Sequence, residues 1–250
     1  MSTESAALLS VTGVSKHFLG LRAVDDVSLS VTKGEIVSII GPNGAGKTTF
    51  FNLLTGQLAP TQGDVRLRGE TINRLAPHAR ARLGMGRTFQ IAKPLIGLNA
   101  LENVMIGAFL HHRALNDARD KAFVVLEKVG LAQHAGRRAG DLTLSERRRL
   151  EVARALALEP EIVLLDEVMA GLNQSEVGQA IELLQGLHKT GLTFLIIEHN
   201  LKVVRAFSER VVVLDRGRLI AEGTADQILS SPEVIKAYLG EPGKAAEIAA

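Results

Sequence analysis

The segment GPNGAGKTT, which runs from Gly41 to Thr49, has the composition and spacing that most directly suggest chemistry. It matches the pattern G-x-x-x-x-G-K-[ST], in which glycines let the backbone curl around phosphate oxygens while the lysine adds a positive charge. EIVSII precedes it and TTFFNLLTG follows, which predicts a strand, a loop and a helix whose positive end faces the anion. We expect Lys47 to contact the β- and γ-phosphates of a nucleotide and the Thr48 hydroxyl to coordinate Mg²⁺. The residues expected to line this phosphate-binding loop are Gly41, Pro42, Asn43, Gly44, Ala45, Gly46, Lys47, Thr48 and Thr49.

A pair of carboxylates, Asp166 and Glu167, ends a second apolar run that begins at Ile162. Ionised groups at the end of a buried strand are costly, so two of them suggest a function. We expect Asp166 to hold Mg²⁺, directly or through a water, opposite Thr48. Glu167 is the candidate general base that polarises a water against the γ-phosphate. The alternative is a strand that simply ends in an acidic surface turn, and the phosphate-binding loop elsewhere in the chain argues against it.

Short apolar runs alternate with helical patterns along the chain, which predicts an α/β fold. Several of the runs are continuous Val, Ile and Leu, as in parallel strands that helices cover on both faces. The first two strands and the last are short and lie between turn signals, which predicts an antiparallel flank. The predicted strands are residues 8–14, 27–31, 35–40, 64–68, 162–165, 193–197, 211–214 and 219–221.

Helices are predicted at residues 117–129, 145–158 and 175–189. The last has a single apolar stripe and a capping pair, Asn173 with Glu176, at its start.

The stretch from about residue 91 to 149 contains no convincing strand, and we interpret it as a helical insertion lobe. The domain prediction is therefore one domain over residues 8–240. Its core is formed by residues 8–90 and 150–240, with the lobe between them.

Composition excludes several classes of protein. The chain has 250 residues, of which 46% are hydrophobic, so it can bury a sizeable core. It has no cysteine, which excludes disulfides, thiolate zinc sites and a cysteine nucleophile. The formal charge of +2 gives little reason to expect nucleic-acid binding. We expect no secretory signal at the N-terminus, and the densest apolar runs are too short to span a membrane.

Several motifs, in a fixed order, resemble those of ABC transporter ATPases, and most closely the ATPases of branched-chain amino acid uptake systems. They are GRTFQ, LENVMIGAF, DEVMAGLN, IIEHNLKVV, VVVLDRGRLIAEGT and IKAYLG. The resemblance extends from about Leu8 to Gly240. It implies a P-loop NTPase (RecA-like) core with an antiparallel β flank and a helical insertion lobe, and an ATPase that uses ATP and Mg²⁺.

The resemblance also assigns roles to individual residues. Phe18 takes the position of an aromatic ring that stacks on adenine. Gln90 takes the position of a glutamine that contacts Mg²⁺ or the attacking water, and His199 that of a histidine that contacts the γ-phosphate. His111 and His112 match no such position, and we expect them in a solvated loop.

One motif departs from the family pattern. Where relatives have LSGGQ, this chain has LTLSE, from Leu142 to Glu146. Thr143 keeps a hydroxyl, whereas Leu144 and Ser145 replace both glycines. By resemblance, Thr143, Leu144 and Ser145 would contact the ATP held by a partner subunit. Ser145 would add a Cβ where the backbone should approach that ATP most closely.

The resemblance implies that two ATPase subunits, identical or different, meet head to tail and enclose ATP between the loop of one and the LSGGQ-type motif of the other. Dimer closure would drive separate transmembrane permease subunits, which dock on the lobe. The chain would then act at the cytoplasmic face of the inner (plasma) membrane as a peripheral subunit, with no direct contact with the transported solute and no nucleic-acid partner. The solute would be a branched-chain amino acid, with urea, short amides or aromatic compounds as alternatives.

Three other functions compete with this prediction. An ATPase of a lipid or lipopolysaccharide export system would share most of the motifs. A soluble ABC ATPase of DNA repair or translation usually carries two cassettes or a long coiled-coil insertion. A small-molecule kinase would leave the LTLSE segment and His199 unexplained.

Overall fold

The computed structural model describes residues 7–88 and 94–239. These residues form two compact units. The first unit contains the described residues up to Arg80 and those from Thr193 onward, and the second contains those between Ala81 and Leu192.

The strands are β1 (Ala7–Phe18), β2 (Leu21–Thr32), β3 (Ile36–Ile40), β4 (Gln62–Leu67), β5 (Glu70–Thr71), β6 (Met85–Arg87), β7 (Ile162–Asp166), β8 (Thr193–Ile197), β9 (Arg210–Asp215) and β10 (Arg218–Gly223). The helices are α1 (Lys47–Leu54), α2 (Pro77–Arg82), α3 (Ala100–Ala108), α4 (Leu115–Lys128), α5 (Leu144–Leu156), α6 (Gln174–His188), α7 (Leu201–Phe207), α8 (Ala225–Leu229) and α9 (Pro232–Leu239).

An antiparallel sheet of four strands, in the order β2-β1-β4-β5, forms the flank of the first unit. Val11 of β1 lies opposite Leu29 of β2 on one side and Val65 of β4 on the other. The predicted pairing of the first two strands is confirmed. β4 also belongs to this flank. The strand itself was predicted from the sequence, but its place in this sheet was not. β5 is a two-residue strand that a tight turn returns to β4, and it is too short to show a period.

The first unit also contains a mainly parallel group of strands. β3 is parallel to both β8 and β9, with Ile39 opposite Ile197 and Val212. Every residue of β3 and β8 is buried, as predicted for strands covered on both faces. The prediction that placed the last strand with the flank is wrong, because β10 pairs with β9. The turn between them, Arg216–Gly217, has φ of 46° and 81°, a tight reversal that returns the chain beside the preceding strand.

The second unit pairs β6 with β7 in parallel and is otherwise mainly helical. All five residues of β7 are buried. The three helices predicted in this part of the chain correspond to α4, α5 and α6, with ends that differ by one or two residues. The capping box of Asn173 and Glu176 at the start of α6 is present. In the described ranges, no helix combines the length and apolar character that crossing a bilayer requires.

Candidate nucleotide-binding site

The predicted phosphate-binding loop joins β3 to α1 in the first unit, and its backbone follows a path that glycine permits. Gly41, Gly44 and Gly46 have φ of 152°, 79° and 100°. A Cβ at Gly41 would lie 2.0 Å from the carbonyl oxygen of Leu214, and one at Gly46 would lie 2.3 Å from that of Ala23. Larger residues are therefore excluded at both ends of the loop. The chain at Gly44 is open, which leaves room for an anion to approach the backbone.

The start of α1 is suited to bind that anion. Gly46 is its N-cap, and among the described residues no side chain caps the helix and no acid lies in its first turn. The first amide groups and the positive end of the helix dipole are thus directed at the loop. Lys47 is 8% exposed, and its Nζ donates to the carbonyl oxygens of Gly41, at 2.6 Å, and Pro42, at 3.0 Å. The ammonium group already lies over the loop, where phosphate oxygens could replace those carbonyls.

The β9–β10 turn supports the loop from the side. The Gly217 amide donates to the carbonyl oxygen of Ala45 at 2.9 Å, and the Gly217 carbonyl accepts from the Asp25 amide at 2.8 Å. The Arg218 guanidinium donates to the Asp25 carboxylate at 2.6 Å and lowers the pKa of that carboxyl. The DRGR segment therefore positions the loop, a role that the sequence analysis did not assign.

The opposite end of α1 is held by Arg80, which is 1% exposed. Its Nη1 donates to the carbonyl oxygens of Leu53, at 2.7 Å, and Leu54, at 2.6 Å. A cation at this end satisfies carbonyls that the helix leaves open and complements the dipole. Burial lowers the pKa of Arg80 to about 10, so the side chain stays charged at neutral pH. No motif in the surrounding sequence could have indicated this residue.

Phe18, the predicted adenine-stacking residue, ends β1 in the same unit. Its ring is 40% exposed, which leaves a face available to a base. The Nζ of Lys16 lies 5.3 Å from the ring centroid and donates to the carbonyl oxygen of Ala59. The contact between the cation and the ring helps to fix the position of Phe18.

His199 follows β8, as the sequence predicted. β8 runs parallel to β3, and their paired ends, Ile197 and Ile39, precede His199 and Gly41 by two residues each. Because the carboxyl ends of parallel strands meet at one edge of a sheet, His199 and the loop start at the same edge. His199 is exposed, and the next residue, Asn200, caps α7.

Asp166 and Glu167 lie at the end of β7 in the second unit. Asp166 is 2% exposed, and its amide donates to the Thr88 hydroxyl at 3.1 Å. Its Oδ2 lies 3.3 Å from Nη2 of Arg87, whose side chain is 9% exposed. Burial lowers the pKa of Arg87, and the charge of Asp166 partly reverses that effect. Arg87 and Thr88 were missed as site residues, because β6 is only three residues long.

Glu167 has a different environment from Asp166. Its φ is 48°, a left-handed value that is rare outside glycine and common at functional sites. The chain then turns, with the Ala170 amide donating to the carbonyl oxygen of Glu167 at 3.1 Å. Glu167 is partly exposed, so its carboxylate can reach a water.

The segment in place of LSGGQ begins α5. Thr143 is its N-cap, and its hydroxyl accepts from the Glu146 amide at 3.2 Å. The Glu146 carboxylate in turn accepts from the Thr143 amide at 2.7 Å, which completes a capping box. Leu144 is 45% exposed, whereas Ser145 is 7% exposed. The Ser145 side chain therefore faces the interior of its own unit, and Leu144 is the larger exposed group at this helix start.

Burial opposes ionisation of Glu146. Hydrogen bonds from Thr143 and the charges of His134 and Arg137 nevertheless lower the pKa of this carboxyl. The Glu146 carboxylate in the first turn of α5 is therefore ionised at neutral pH.

The expectation that His111 and His112 lie in a solvated loop is confirmed, since both follow α3 in a loop where His111 is exposed and His112 is partly exposed. Both rings also have partners near the end of α5. Nε2 of His111 lies 3.2 Å from the carbonyl oxygen of Leu158, and Nε2 of His112 lies 2.7 Å from Oε1 of Glu159. Glu159 also accepts from Lys121 at 2.7 Å. The hydrogen bonds from Lys121 and His112 lower the pKa of Glu159 to about 2. Together these contacts fasten the α3–α4 connection to the end of α5.

The side chains predicted to hold Mg²⁺ carry oxygen atoms. Thr48 is exposed at the start of α1, and its hydroxyl and the Asp166 carboxylate are the hard oxygen ligands that Mg²⁺ prefers. Gln90 lies outside the described residues. Within the described ranges, no group of three or more His, Cys, Asp or Glu residues is arranged to hold a metal ion.

Comparisons with known proteins identify the family. The ABC transporter family profile matches residues 24–170, and the profile "Branched-chain amino acid ATP-binding cassette transporter" matches residues 218–249. The chain is 43% identical to the high-affinity branched-chain amino acid transport ATP-binding protein LivG of Escherichia coli K12, over 95% of this chain and 99% of LivG. It is 42% identical to BraF of Pseudomonas aeruginosa, with the same coverage. The crystal structure of the ADP conformation of MJ1267, an ATP-binding cassette of an ABC transporter, aligns with a TM-score of 0.86 and 33% identity, over 94% of this chain and 99% of that one.

Two further matches bear on alternatives and assembly. The lipopolysaccharide export system ATP-binding protein LptB of E. coli K12 is 37% identical, over 94% of this chain and 98% of LptB. A dimeric post-hydrolysis structure of the cassette MJ0796, bound to ADP and Pi, aligns with a TM-score of 0.79 and 28% identity, over 87% of this chain and 98% of that one. With a loop suited to phosphate, a P-loop NTPase fold and these relatives, the chain belongs to the ABC transporter family and is one of its ATP-hydrolysing ATP-binding cassettes.

Proposed function

We propose that this chain powers an importer of branched-chain amino acids or related small polar solutes. The observation that carries the proposal is the match of residues 218–249 to the branched-chain profile, together with 43% identity to LivG. Export of lipopolysaccharide is the second candidate, and the 37% identity to LptB supports it less strongly.

In the proposed mechanism, the first unit binds the nucleotide. The adenine stacks on the exposed face of Phe18, and the phosphates lie in the loop between β3 and α1. The amides at the start of α1 and the ammonium group of Lys47 neutralise the phosphate charge. His199, at the same sheet edge, contacts the γ-phosphate.

The second unit supplies the groups that act on the γ-phosphate. Glu167 accepts a proton from the attacking water, so that a nucleophile forms beside the phosphorus atom. Asp166 and Thr48, together with Gln90, would hold Mg²⁺, and the bound ion would offset the negative charge that develops on the phosphate oxygens. Asp166 is buried and Glu167 is partly exposed, which suits the first to a metal ligand and the second to a base that contacts water.

We further propose that the working form is a head-to-tail dimer with a second ATPase subunit, identical or different. A dimeric relative supports this arrangement. The start of α5 in one subunit then completes the site of the other, through Thr143, Leu144 and Ser145. ATP favours the closed dimer, and hydrolysis lets it open.

The second unit also contains the surface proposed for the permease subunits. We propose that the described part of the predicted lobe, residues 94–149, includes this surface, and Leu95, Ile96, Ile106 and Phe109 are exposed apolar residues within it. A cavity of about 220 Å³ lies beside Ile106, but Arg87, Glu151 and Arg154 also line it. The cavity beside Ile106 is therefore partly ionic. Docking there would hold the chain at the cytoplasmic face of the inner membrane as a peripheral subunit, without contact with the solute.

Gene replacement in the source organism tests the proposal. Exchange of the gene for a Lys47→Ala copy should abolish high-affinity uptake of labelled leucine, isoleucine and valine, and the parental copy should restore it. Normal uptake of all three, with lipopolysaccharide retained in the inner membrane, would instead establish the export function.

A further inference from the structure

The ion pair between Arg87 and Asp166 is the feature of the second unit that the proposed mechanism leaves unused. Both side chains are buried, at 9% and 2% exposure, and their closest atoms are 3.3 Å apart. Thr88, the residue after Arg87, fixes the backbone of Asp166 by accepting its amide hydrogen at 3.1 Å. Two adjacent residues at the end of β6 thus control the position and the charge balance of one carboxylate.

The register of the strands makes this arrangement rigid. Arg87 pairs with Leu164 in the parallel ladder, and the Thr88 amide donates to the Leu164 carbonyl at 2.9 Å. Arg87 therefore starts two residues before Asp166 on a neighbouring strand, and its long side chain reaches the carboxylate. Arg87 also lines the cavity beside Ile106, Glu151 and Arg154.

A buried carboxylate needs a counter-ion, since the ionised form is strongly disfavoured away from water. In the mechanism above, Mg²⁺ supplies that charge at Asp166 once ATP is bound. A cation already beside Oδ2 would repel a divalent ion, and this repulsion is strong where the effective dielectric constant is low. The phosphates of ATP bring the extra negative charge that outweighs the repulsion.

We propose that Arg87 is a positioning residue that serves as the counter-ion of Asp166 before nucleotide binds, and that it thereby makes Mg²⁺ binding depend on ATP. The inference rests on the proposed function, because that function assigns Asp166 to the metal. Arg87 itself touches neither the metal nor the reacting atoms.

The test compares the full-length parent with Arg87→Gln, with Arg87→Lys as the charge-matched control and Arg87→Gln/Asp166→Asn as the neutral pair. Without nucleotide, Mn²⁺ binding is measured by electron paramagnetic resonance, and Tm is measured with Mg²⁺ and with EDTA. We expect Arg87→Gln to bind Mn²⁺ roughly tenfold more tightly than the parent, as expected from removal of a neighbouring like charge. Its Tm should fall in EDTA and recover in part with Mg²⁺. The parent, Arg87→Lys and the neutral pair should show little response of Tm to Mg²⁺.

Equal Mn²⁺ affinity in Arg87→Gln and the parent, with no recovery of Tm by Mg²⁺, would overturn the proposal and leave Arg87 as a packing residue. If Arg87→Gln fails to fold, the neutral pair decides: its folding supports the charge-balance argument, and its failure to fold contradicts it. Binding of Mg²⁺–ATP to the parent is measured in parallel. A parent that does not bind Mg²⁺–ATP would refute the proposed function, whatever the behaviour of Arg87.

Discussion

Two helix N-termini, those of α1 and α5, are both expected to face the phosphates of ATP, yet they are built in opposite ways. The start of α1 has a glycine cap, no capping side chain and no acid in its first turn among the described residues. The start of α5 has a complete capping box between Thr143 and Glu146, and Glu146 adds a negative charge. The start of α1 can present its backbone amides to a ligand. At the start of α5, the side chains of Thr143 and Glu146 already accept hydrogen bonds from two of the backbone amides.

The difference explains which part of the site can bind ATP alone. The dipole of α1 and the amides at its start, which no side chain caps, act together with Lys47, so the loop can hold phosphate within a single chain. At α5, the Glu146 carboxylate opposes the attraction of the helix dipole for an anion. We therefore expect the start of α5 to contribute only in the closed dimer, where the ATP of the partner is brought to it.

The largest effect is expected for Glu167→Gln. This variant should bind ATP without hydrolysing it, so that the start of α1 in one subunit and the start of α5 in the other stay together in a closed dimer. Loss of a general base lowers rates by about 10²–10⁴-fold, whereas binding through the loop should remain. A phosphate-release assay measures the rate of hydrolysis, a nucleotide-binding assay measures affinity, and size-exclusion chromatography with ATP measures dimer formation. Glu182→Gln, at an exposed position of α6, is the control. A Glu167→Gln chain that hydrolyses at the parental rate would exclude the base role.

Lys47→Ala tests the α1 side of the comparison. Loss of a charged contact to phosphate should weaken ATP binding by about 100-fold, and hydrolysis should fall with it. Isothermal titration with ATP measures the change. Lys128→Ala removes an exposed lysine at the end of α4 and should leave binding unchanged. Parental affinity in Lys47→Ala would refute the assignment of the phosphate-binding loop.

Leu144→Gly and Ser145→Gly test the α5 side. The sequence predicts that Ser145 crowds the ATP of the partner subunit. Because the Ser145 side chain is buried and Leu144 is exposed, we now expect Leu144 to crowd that ATP. Leu144→Gly should therefore increase the ATP-dependent dimerisation of the Glu167→Gln chain by a few-fold. A glycine in a helix costs about 0.5–1 kcal/mol, so the gain is partly offset in both variants. A larger gain for Ser145→Gly would show that its side chain, rather than that of Leu144, meets the partner's ATP.

The smallest effect concerns the charge at the start of α5. The lowered pKa of Glu146 means that its ionised form stabilises the fold above about pH 4.3 and that this contribution is lost as the pH falls through the lowered pKa. Glu146→Gln keeps a capping partner without the charge. At neutral pH, the free energy of unfolding of Glu146→Gln should be lower than that of the parent by less than about 1 kcal/mol, and its Tm should be slightly lower. The Tm values of the parent and the variant should converge in acid. A constant difference in Tm across this range would mean that the charge plays no part in the cap.

The sequence was most informative where a motif or a period repeats over several residues. The loop, the buried strands β3, β7 and β8 and the capping box of α6 were all predictable, because each has a clear local signal: a glycine-rich motif, a continuous apolar run or a capping pair. β5 and β6 were not, since two or three residues cannot show a period. Because β6 was not predicted, Arg87 and Thr88 were also missed, although both contact Asp166 from a distant part of the chain.

Other features depend on contacts between distant segments. Arg80 stabilises the end of α1, and Gly217 supports the loop, although nothing near either residue in the sequence points to those partners. The contacts of His111 and His112 could not be predicted, because their partners, Leu158 and Glu159, lie beyond α5. The burial of Ser145 beside an exposed Leu144 likewise depends on the segments that pack around the start of α5, which the motif alone does not define.

Amide hydrogen exchange tests the contrast between the two helix starts most directly. In the parent chain, at a concentration where it is monomeric, ATP should protect the amides of residues 41–50 and leave those of residues 142–147 unchanged. In the Glu167→Gln chain with ATP, at a concentration where it dimerises, both segments should be protected. Protection of residues 142–147 in the monomer, or no protection of residues 41–50, would contradict the account.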